Sequence, residues 1–388
     1  MRTDPGPRSL AVRGTFRGVS GYDHHTREFV RHLACQGVQL QLTDFPRWHP
    51  VKLAPEARDP WFEQLRGSVA AAALLQFCMP HQVLASPGQL NVNYTMFEAS
   101  PVPAGWIASG RSQDLVVVPT KSSREAWLAG GHPSARIRTC PLGVDVERFH
   151  PAEPPLELSR AGGRPVADYR VRVLNVSDPQ PRKNLVGLVR TWITATSADD
   201  DAILILKLSP ATRQSTATLF RRLAIMEHQL GRSMRQAAPI QFVDRLLTEP
   251  EMPGLYTAAT HYWSMSHGEG WDLPMTEAAA AGLRLIAPRH TGYLDYLDAD
   301  VAQMIPSKAE PAAGACVDPS TAPLFEGASW WSPDEDAAGQ ALRNAIEGRD
   351  QPAASVRDRL ATSCTWQHAT ARLIEILTEL HYEHGRRF

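Results

Sequence analysis

Short apolar runs rich in β-branched residues alternate with amphipathic stretches along the whole chain. In the first half, SLAVRG (9–14) leads through a glycine-rich loop to a stretch of helical periodicity around Tyr22–Cys35, then to VQLQLTDF (38–45). DLVVVPT (114–120) precedes Ser122 and Glu125 at capping-box spacing and a helix that Gly130 and Gly131 bring to an end. In the second half VRVLNV (171–176), AILILKL (202–208), IQFV (240–243), THYWSM (260–265) and LRLIA (283–287) each precede a helical or capping pattern. Strand-length apolar runs that alternate with helices predict parallel sheets joined by βαβ crossovers, an α/β chain.

The segment HPAEPPLELSRAGGR (150–164) interrupts this alternation. It is rich in proline and glycine and has no periodicity, the composition of a linker. Three parts follow: a Rossmann-like domain over residues 1–160, a second over 161–365, and a final helix in 366–388, where apolar residues recur at helical spacing. The length of 388 residues suits two domains of ordinary size. No internal repeat is visible.

Composition narrows the function. Apolar residues make up 43% and charged residues 21%, ordinary for a soluble globular chain. With 40 basic against 41 acidic residues, no global field draws nucleic acid, so a small ligand becomes the default partner. The five cysteines, Cys35, Cys78, Cys140, Cys316 and Cys364, lack metal-ligand spacing and read as reduced thiols in a cytoplasmic protein. MRTDPGPRSL has no apolar core of a signal peptide, and VAAAALLQFCM (69–79) is too short to span a bilayer. The basic stretch 211–236 leaves a peripheral contact with the inner face of a membrane open, against its plainer reading as a solvated helix.

The chemistry concentrates in HGEGWDLPMTEAAAAG (267–282). Asp272 is placed as a helix N-cap, Pro274 falls in the first turn, where its missing N–H costs nothing, and Gly282 is placed as the C-cap. Glu269 therefore lies in a loop at the carboxyl end of a strand and Glu277 on the second helical turn, at the edge where open α/β sheets bind ligands. A carboxylate there can accept two O–H bonds from a ribose diol.

The block G-E-G-(aromatic)-x-L-P-x-x-E-A-x-A-x-G resembles the donor-site signature of the retaining glycosyltransferases of family 4. That resemblance implies the GT-B fold, two Rossmann-like doubly wound domains facing across a cleft. It also implies roles: Glu269 beside the donor sugar and reacting centre, Glu277 on the nucleotide ribose, and Gly270, Trp271, Asp272 and Leu273 as the loop whose backbone faces sugar and phosphate. The similarity weakens between about Ala299 and Cys364. In relatives the terminal helix crosses back to the first domain and often opens with an aromatic, here Trp366.

Other loops fit the same frame. RGTFRGVSGY (13–22) places Gly14, Gly18, Ser20 and Gly21 between the first strand and its helix, where a backbone without side chains approaches a phosphate. Its spacing is not that of a dinucleotide fingerprint. Tyr22 and Asp23, with His24 and His25, open the same helix and are read as acceptor-side residues. SDPQPRKN (177–184) follows the first strand of the second domain; Lys183 matches a family lysine, whereas Ser177 stands where many relatives carry arginine. Arg182 is the substitute, and Lys207 a second cation on the donor. Such cations stabilise charge that develops on a departing diphosphate. Phe97–Glu98 resembles an aromatic–Glu pair, which makes Glu98 an acceptor contact, and Thr291 and Gly292 in PRHTGYLDYL (288–297) face phosphate.

The expectation is a retaining, metal-independent glycosyltransferase. It moves a sugar from a UDP-sugar or GDP-sugar to a saccharide, lipid-linked or small-molecule hydroxyl, and it needs no cofactor beyond the donor. Its rivals are a sugar-nucleotide epimerase or sugar phosphorylase on the same fold, a nucleotide-dependent dehydrogenase suggested by Asp44, and a non-catalytic sugar-nucleotide-binding subunit.

Overall fold

The computed structural model describes residues 8–45, 48, 51–159, 161–209, 213–317, 322–350 and 355–385. The chain divides into two compact units. The first takes residues 1–143, 319–328 and 364–388, and the second takes 144–318 and 329–363.

The first unit is built on six parallel strands, β1 (Ser9–Gly14), β2 (Gln39–Asp44), β3 (Ala73–Phe77), β4 (Leu90–Tyr94), β5 (Leu115–Val118) and β6 (Ile137–Thr139), in the order β2-β1-β3-β4-β5-β6. β4 and β5 are buried along their whole length, as strands covered on both faces must be; β5 is accordingly apolar throughout, whereas β4 carries the buried Asn91 and Asn93, and Asn93 Nδ2 donates to the Gln76 and Cys78 carbonyls at 3.1 and 3.0 Å. The helix α1 (Gly21–Cys35) follows β1, and its Phe29 packs with Phe77, Tyr94 and Trp366. Trp366 opens the terminal helix Trp366–Glu383, and Thr365 caps it by accepting from the His368 N–H. Gly143 runs so close to the Trp366 backbone that no Cβ would fit. The helix Lys121–Ala129 is capped two residues earlier than expected: Thr120 accepts from Ser123 N at 3.2 Å, in place of the Ser122–Glu125 pair. Thr120 sits in extended backbone immediately before the helix, so its hydroxyl meets the first free N–H groups.

The second unit carries β7 (Val171–Ser177), β8 (Ala202–Leu208), β9 (Ile240–Val243), β10 (His261–Trp263), β11 (Arg284–Pro288) and β12 (Gln303–Ile305), all parallel in the order β12-β11-β10-β7-β8-β9. From β7 the chain winds outward through β8 and β9, then returns to lay β10 on the other side of β7. The order therefore reverses between β7 and β10, and the carboxyl ends of those two strands bound the crevice where doubly wound sheets hold ligands. Trp192 packs with Leu204, Leu206, Trp263 and Ile286 of the sheet in one hydrophobic core. An antiparallel hairpin, β13 (Ser307–Pro311) with β14 (Ser329–Pro333), is added in the region where the sequence pattern fades.

The basic stretch forms the helix Arg213–Leu230, with Leu219, Leu223 and Met226 buried and Arg221 and Arg222 exposed. No helix among the described residues is long and apolar enough to cross a membrane. Cys35, Cys78, Cys140 and Cys364 are free thiols, and the side chain of Cys316 lies outside the described residues.

Candidate functional site

Two loops meet at the β7/β10 reversal. The first leaves β7 through a tight turn, Pro181–Lys183, and reaches Asn184 in the left-handed conformation (φ 49°). The Asn184 side chain accepts from Gly187 N at 3.2 Å and so starts the helix α2 (Leu185–Ala195). The second runs from β10 to the helix α3 (Leu273–Ala280). The backbone braces them together: His267 N donates to the Arg182 carbonyl at 2.7 Å, and Arg182 Nη1 to the Gly268 carbonyl at 3.2 Å.

This bracing delivers Arg182 and Lys183 to Glu269. Lys183 Nζ lies 2.6 Å from Oε1 and Arg182 Nη1 2.9 Å from Oε2, while Ser266 Oγ donates to Oε1 at 2.5 Å. Glu269 is only 4% exposed. Burial alone would raise its pKa, but the two cations more than reverse that and hold it down to about 2. Glu269 is therefore a fixed anion whose charge orients two cations.

Asp272 departs from its expected use. It occupies the N-cap position, yet in left-handed backbone (φ 74°) and without a side-chain cap bond. Its carboxylate is taken up elsewhere: Oδ2 accepts from the Tyr293 hydroxyl at 2.8 Å, and that hydroxyl lies 2.7 Å from Ser264 Oγ. Oδ1 has no hydrogen-bond partner, and Lys183 Nζ stands 3.9 Å from it. Burial raises Asp272 to about 6, with Lys183 opposing and the Glu269 charge reinforcing the rise.

Thr291, also left-handed (φ 47°), accepts from Glu269 N at 3.2 Å, and Gly292 N donates to the Glu269 carbonyl at 3.1 Å. A Cβ on Gly292 would meet that carbonyl oxygen at 2.9 Å, so glycine is required for the two loops to touch. Both residues thus grip the backbone of Glu269. Gly270, Trp271 and Asp272 donate no backbone hydrogen bond within the described residues, which leaves three successive N–H groups beside the start of α3. Such a row suits an anion. Trp271 is buried against Tyr296, whose hydroxyl donates to the Trp271 carbonyl at 2.7 Å.

Gly282 ends the site's helix as expected, in positive φ (84°). Inside the helix, Glu277 is 8% exposed and its Oε2 accepts from the Tyr256 hydroxyl at 2.5 Å. Lys207, at the end of β8, donates to the Leu208 carbonyl at 2.8 Å, and burial lowers its pKa to about 8. The charges that act on it are those of Asp178, Arg245 and Asp244, not the Glu269 cluster. On the hairpin side, the His267 ring stacks on Trp330 at 4.3 Å and His290 on Trp331 at 5.7 Å.

In the first unit, Ser20 caps α1 in a capping box with Asp23. The Asp23 carboxylate accepts from Thr15 Oγ1, from Gly18 N at 2.7 Å and from Ser20 Oγ at 2.5 Å, so it shapes its own loop. A Cβ at Gly21 would meet nothing within 4 Å, so the fold itself does not demand glycine there. Tyr22 is buried, and its hydroxyl accepts from Met96 N at 3.3 Å. His25 is enclosed by Phe29, Phe77 and Tyr94, and burial pulls its pKa down to about 3. Glu98 is half-buried beside Phe97, which stacks on Phe325 at 5.4 Å.

No protein-family model matches the chain and no curated protein sequence does. Solved structures do match it along nearly its whole length. Sucrose-phosphate synthase from Thermosynechococcus elongatus shares 15% identity and a TM-score of 0.61, over 97% of this chain and 100% of that one. The Anabaena protein HepE in complex with UDP shares 12% at a TM-score of 0.63, over 96% and 100%. An E. coli trehalose-6-phosphate structure bound with UDP-2-fluoro glucose shares 11% at 0.62, over 96% and 99%. The fold is GT-B.

Within this GT-B chain the structure brings together Glu269, Arg182, Lys183, Asp272, Thr291 and Gly292, and it sets Glu277 on the second turn of α3. Sequence reasoning missed Ser264, Ser266, Tyr256 and Tyr293, which supply the hydroxyls that aim these carboxylates. Tyr293 directly follows the Thr291–Gly292 pair in the chain. Tyr256 lies in an apolar helix that carries no motif. Among the described residues, no group of three or more His, Cys, Asp or Glu side chains is arranged to hold a metal ion.

Proposed function

We propose that this protein is a retaining glycosyltransferase that moves a sugar from a nucleoside-diphosphate sugar to an acceptor hydroxyl without a metal ion. The observation that carries the reading is the Glu269–Arg182–Lys183 cluster at the β7/β10 reversal, next to three free backbone N–H groups. The block HGEGWDLPMTEAAAAG, with its resemblance to family 4, supplies the roles. Relatives of the same fold carry UDP and UDP-2-fluoro glucose, which favours a uridine nucleotide as the first donor to test.

In this reading Arg182 and Lys183 face the diphosphate as its bond to the sugar breaks, together with the N–H groups of the 270–272 loop and the positive end of α3. They act on charge that grows toward the transition state, so they accelerate transfer more than they tighten binding. Glu277, held by Tyr256, takes the ribose hydroxyls. The leaving phosphate accepts the proton of the attacking hydroxyl on the same face of the sugar, so the anomeric configuration is kept and no separate base is needed.

Mass spectrometry after incubation with UDP- and GDP-sugars and an acceptor panel tests the proposal. The expected products are free nucleoside diphosphate and a glycosylated acceptor with the donor's anomeric configuration. An isomerised sugar nucleotide would identify an epimerase, inversion would remove the retaining mechanism, and binding with no turnover would identify a sugar-nucleotide-binding subunit.

A further inference from the structure

Asp272 combines three features that a mere loop residue does not need together. It holds left-handed backbone, a conformation glycine adopts without cost and other residues adopt at some. One carboxylate oxygen is fixed by a two-step hydroxyl chain, Ser264 to Tyr293 to Asp272. The other, Oδ1, is buried and has no hydrogen-bond partner. Oriented by one oxygen and unsatisfied at the other, the carboxylate is a prepared acceptor, and an unmet buried acceptor is costly until something donates to it.

Its surroundings say what that donor is. Oδ1 belongs to the loop that carries the three free N–H groups, and Lys183 Nζ stands 3.9 Å from it while bonded to Glu269 at 2.6 Å. A cationic group on the ligand would meet Lys183 and Arg182. A second carboxylate would meet Asp272 and Glu269. A neutral hydroxyl satisfies Oδ1 without either conflict, and it gains access when Lys183 turns from the carboxylates to an incoming diphosphate.

We infer that Asp272 is a specificity-determining residue that reads the transferred sugar: its free oxygen accepts from a sugar hydroxyl, so the site takes neutral hydroxylated sugars and rejects uronic acids. The inference rests on the sugar-nucleotide reading of this same site and adds the class of sugar to it. Lys183 binds the diphosphate and so uncovers Oδ1, which makes nucleotide binding the first step and sugar recognition the second.

Calorimetry on the full chain tests it, with UDP, GDP, UDP-glucose, UDP-galactose, UDP-N-acetylglucosamine, GDP-mannose and UDP-glucuronic acid as probes. Asp272→Gly keeps a residue suited to positive φ and removes the carboxylate. Asp272→Asn keeps an acceptor oxygen in a side chain that tolerates the left-handed region. The wild type should prefer its best neutral sugar nucleotide over UDP-glucuronic acid by about tenfold or more. Asp272→Gly should lose about tenfold to a hundredfold of that neutral-sugar affinity, the scale for one hydrogen bond to a charged group. Its affinity for the free diphosphate should stay within about twofold, because that ligand does not use Oδ1. Asp272→Asn should recover most of the neutral-sugar affinity. Equal losses for diphosphate and sugar nucleotide in both variants, or unchanged discrimination against the uronic acid, would overturn the inference while leaving the donor site standing. A wild type that binds neither diphosphates nor sugar nucleotides would instead sink the proposed function, and this inference with it.

Discussion

Lys183 donates to Glu269 across 2.6 Å, in a site where the carboxylate is almost fully enclosed. A cation so placed neutralises Glu269, and in the proposed function it is the group that an incoming diphosphate draws away. In that function the pair positions Lys183 before the donor binds, so the cation is already at the site when charge develops on the leaving group. Buried pairs of this kind add little net stability, because desolvation offsets the attraction, and their clearest effect is on geometry.

Lys183→Ala is expected to lower turnover by roughly 10²- to 10³-fold, the loss seen when one preorganised stabiliser of developing charge is removed. Donor affinity should fall less, because Arg182 and the backbone N–H groups still face the phosphate. Steady-state kinetics at saturating donor would decide it. A variant with intact turnover and a loss confined to donor affinity would remove Lys183 from the transition state.

How much of this was legible in the sequence depends on the range over which each contact acts. The runs of β1, β2, β5 and β7 to β11 were readable because their periodicity is local, whereas β3, β4, β6 and β12 were not read as strands. Glu269, Glu277, Arg182 and Lys183 stood out because they sit at loop–strand and loop–helix junctions. Asp272 was placed at a helix start correctly but given the wrong local use, since nothing in the sequence tells that its backbone turns left-handed and hands the carboxylate to Tyr293, 21 residues on. Thr291 and Gly292 were expected at a phosphate, whereas the fold sets them on the Glu269 backbone. Such tertiary hydroxyl contacts leave no spacing signature. Asp23 illustrates the same gap in the first unit, where its oxygens are taken up by Thr15, Gly18 and Ser20.

Glu277→Ala should weaken binding of the free nucleoside diphosphate by about tenfold to a hundredfold, because it strips one or two charge-assisted bonds from a ribose diol. It also orphans the buried Tyr256 hydroxyl, whose partner lies at 2.5 Å. Tyr256→Phe removes the hydroxyl and keeps the carboxylate, so its effect on affinity should have the same sign and be smaller. Calorimetry with the diphosphate alone checks both. Unchanged affinity in a folded Glu277→Ala protein would end the ribose assignment.

Stability should depend on pH through Asp272 and Glu269 with opposite signs. Asp272 has its folded pKa near 6, above the ordinary 3.8, so the folded state holds its proton more tightly than the unfolded chain does. Its contribution is complete below about 3.8 and is lost as pH rises through 6. Glu269 has its folded value near 2 against an ordinary 4.5, so its contribution is present above about 4.5 and is lost as pH falls through 2. Asp272→Asn should therefore abolish a decline in stability between about pH 4 and pH 6 and leave the acid limb in place. Urea unfolding midpoints across that window measure it, and parallel curves for wild type and variant would show that Asp272 does not titrate as its burial requires.

Glu269→Gln tests the division of labour along the 267–282 block. The substitution keeps size and removes the charge that both Lys183 and Arg182 hold, at 2.6 and 2.9 Å. Two cations freed from a carboxylate remain available to phosphate, so the diphosphate should bind as well as before or somewhat better. Transfer from the intact sugar nucleotide should collapse, because the cations are no longer aimed and the group beside the donor sugar has lost its charge. Breaking a buried pair also leaves uncompensated positive charge, at a cost of about 3–5 kcal/mol when one partner is removed cleanly. The melting temperature should therefore fall, and less so once diphosphate is added, since the ligand replaces the missing anion. The Glu277 and Glu269 variants should thus separate, one on nucleotide affinity and the other on chemistry and unliganded stability. If Glu269→Gln keeps most of its transferase activity, or loses nucleotide affinity as badly as Glu277→Ala, the two carboxylates do not divide the work in the way their positions on the loop and the helix imply.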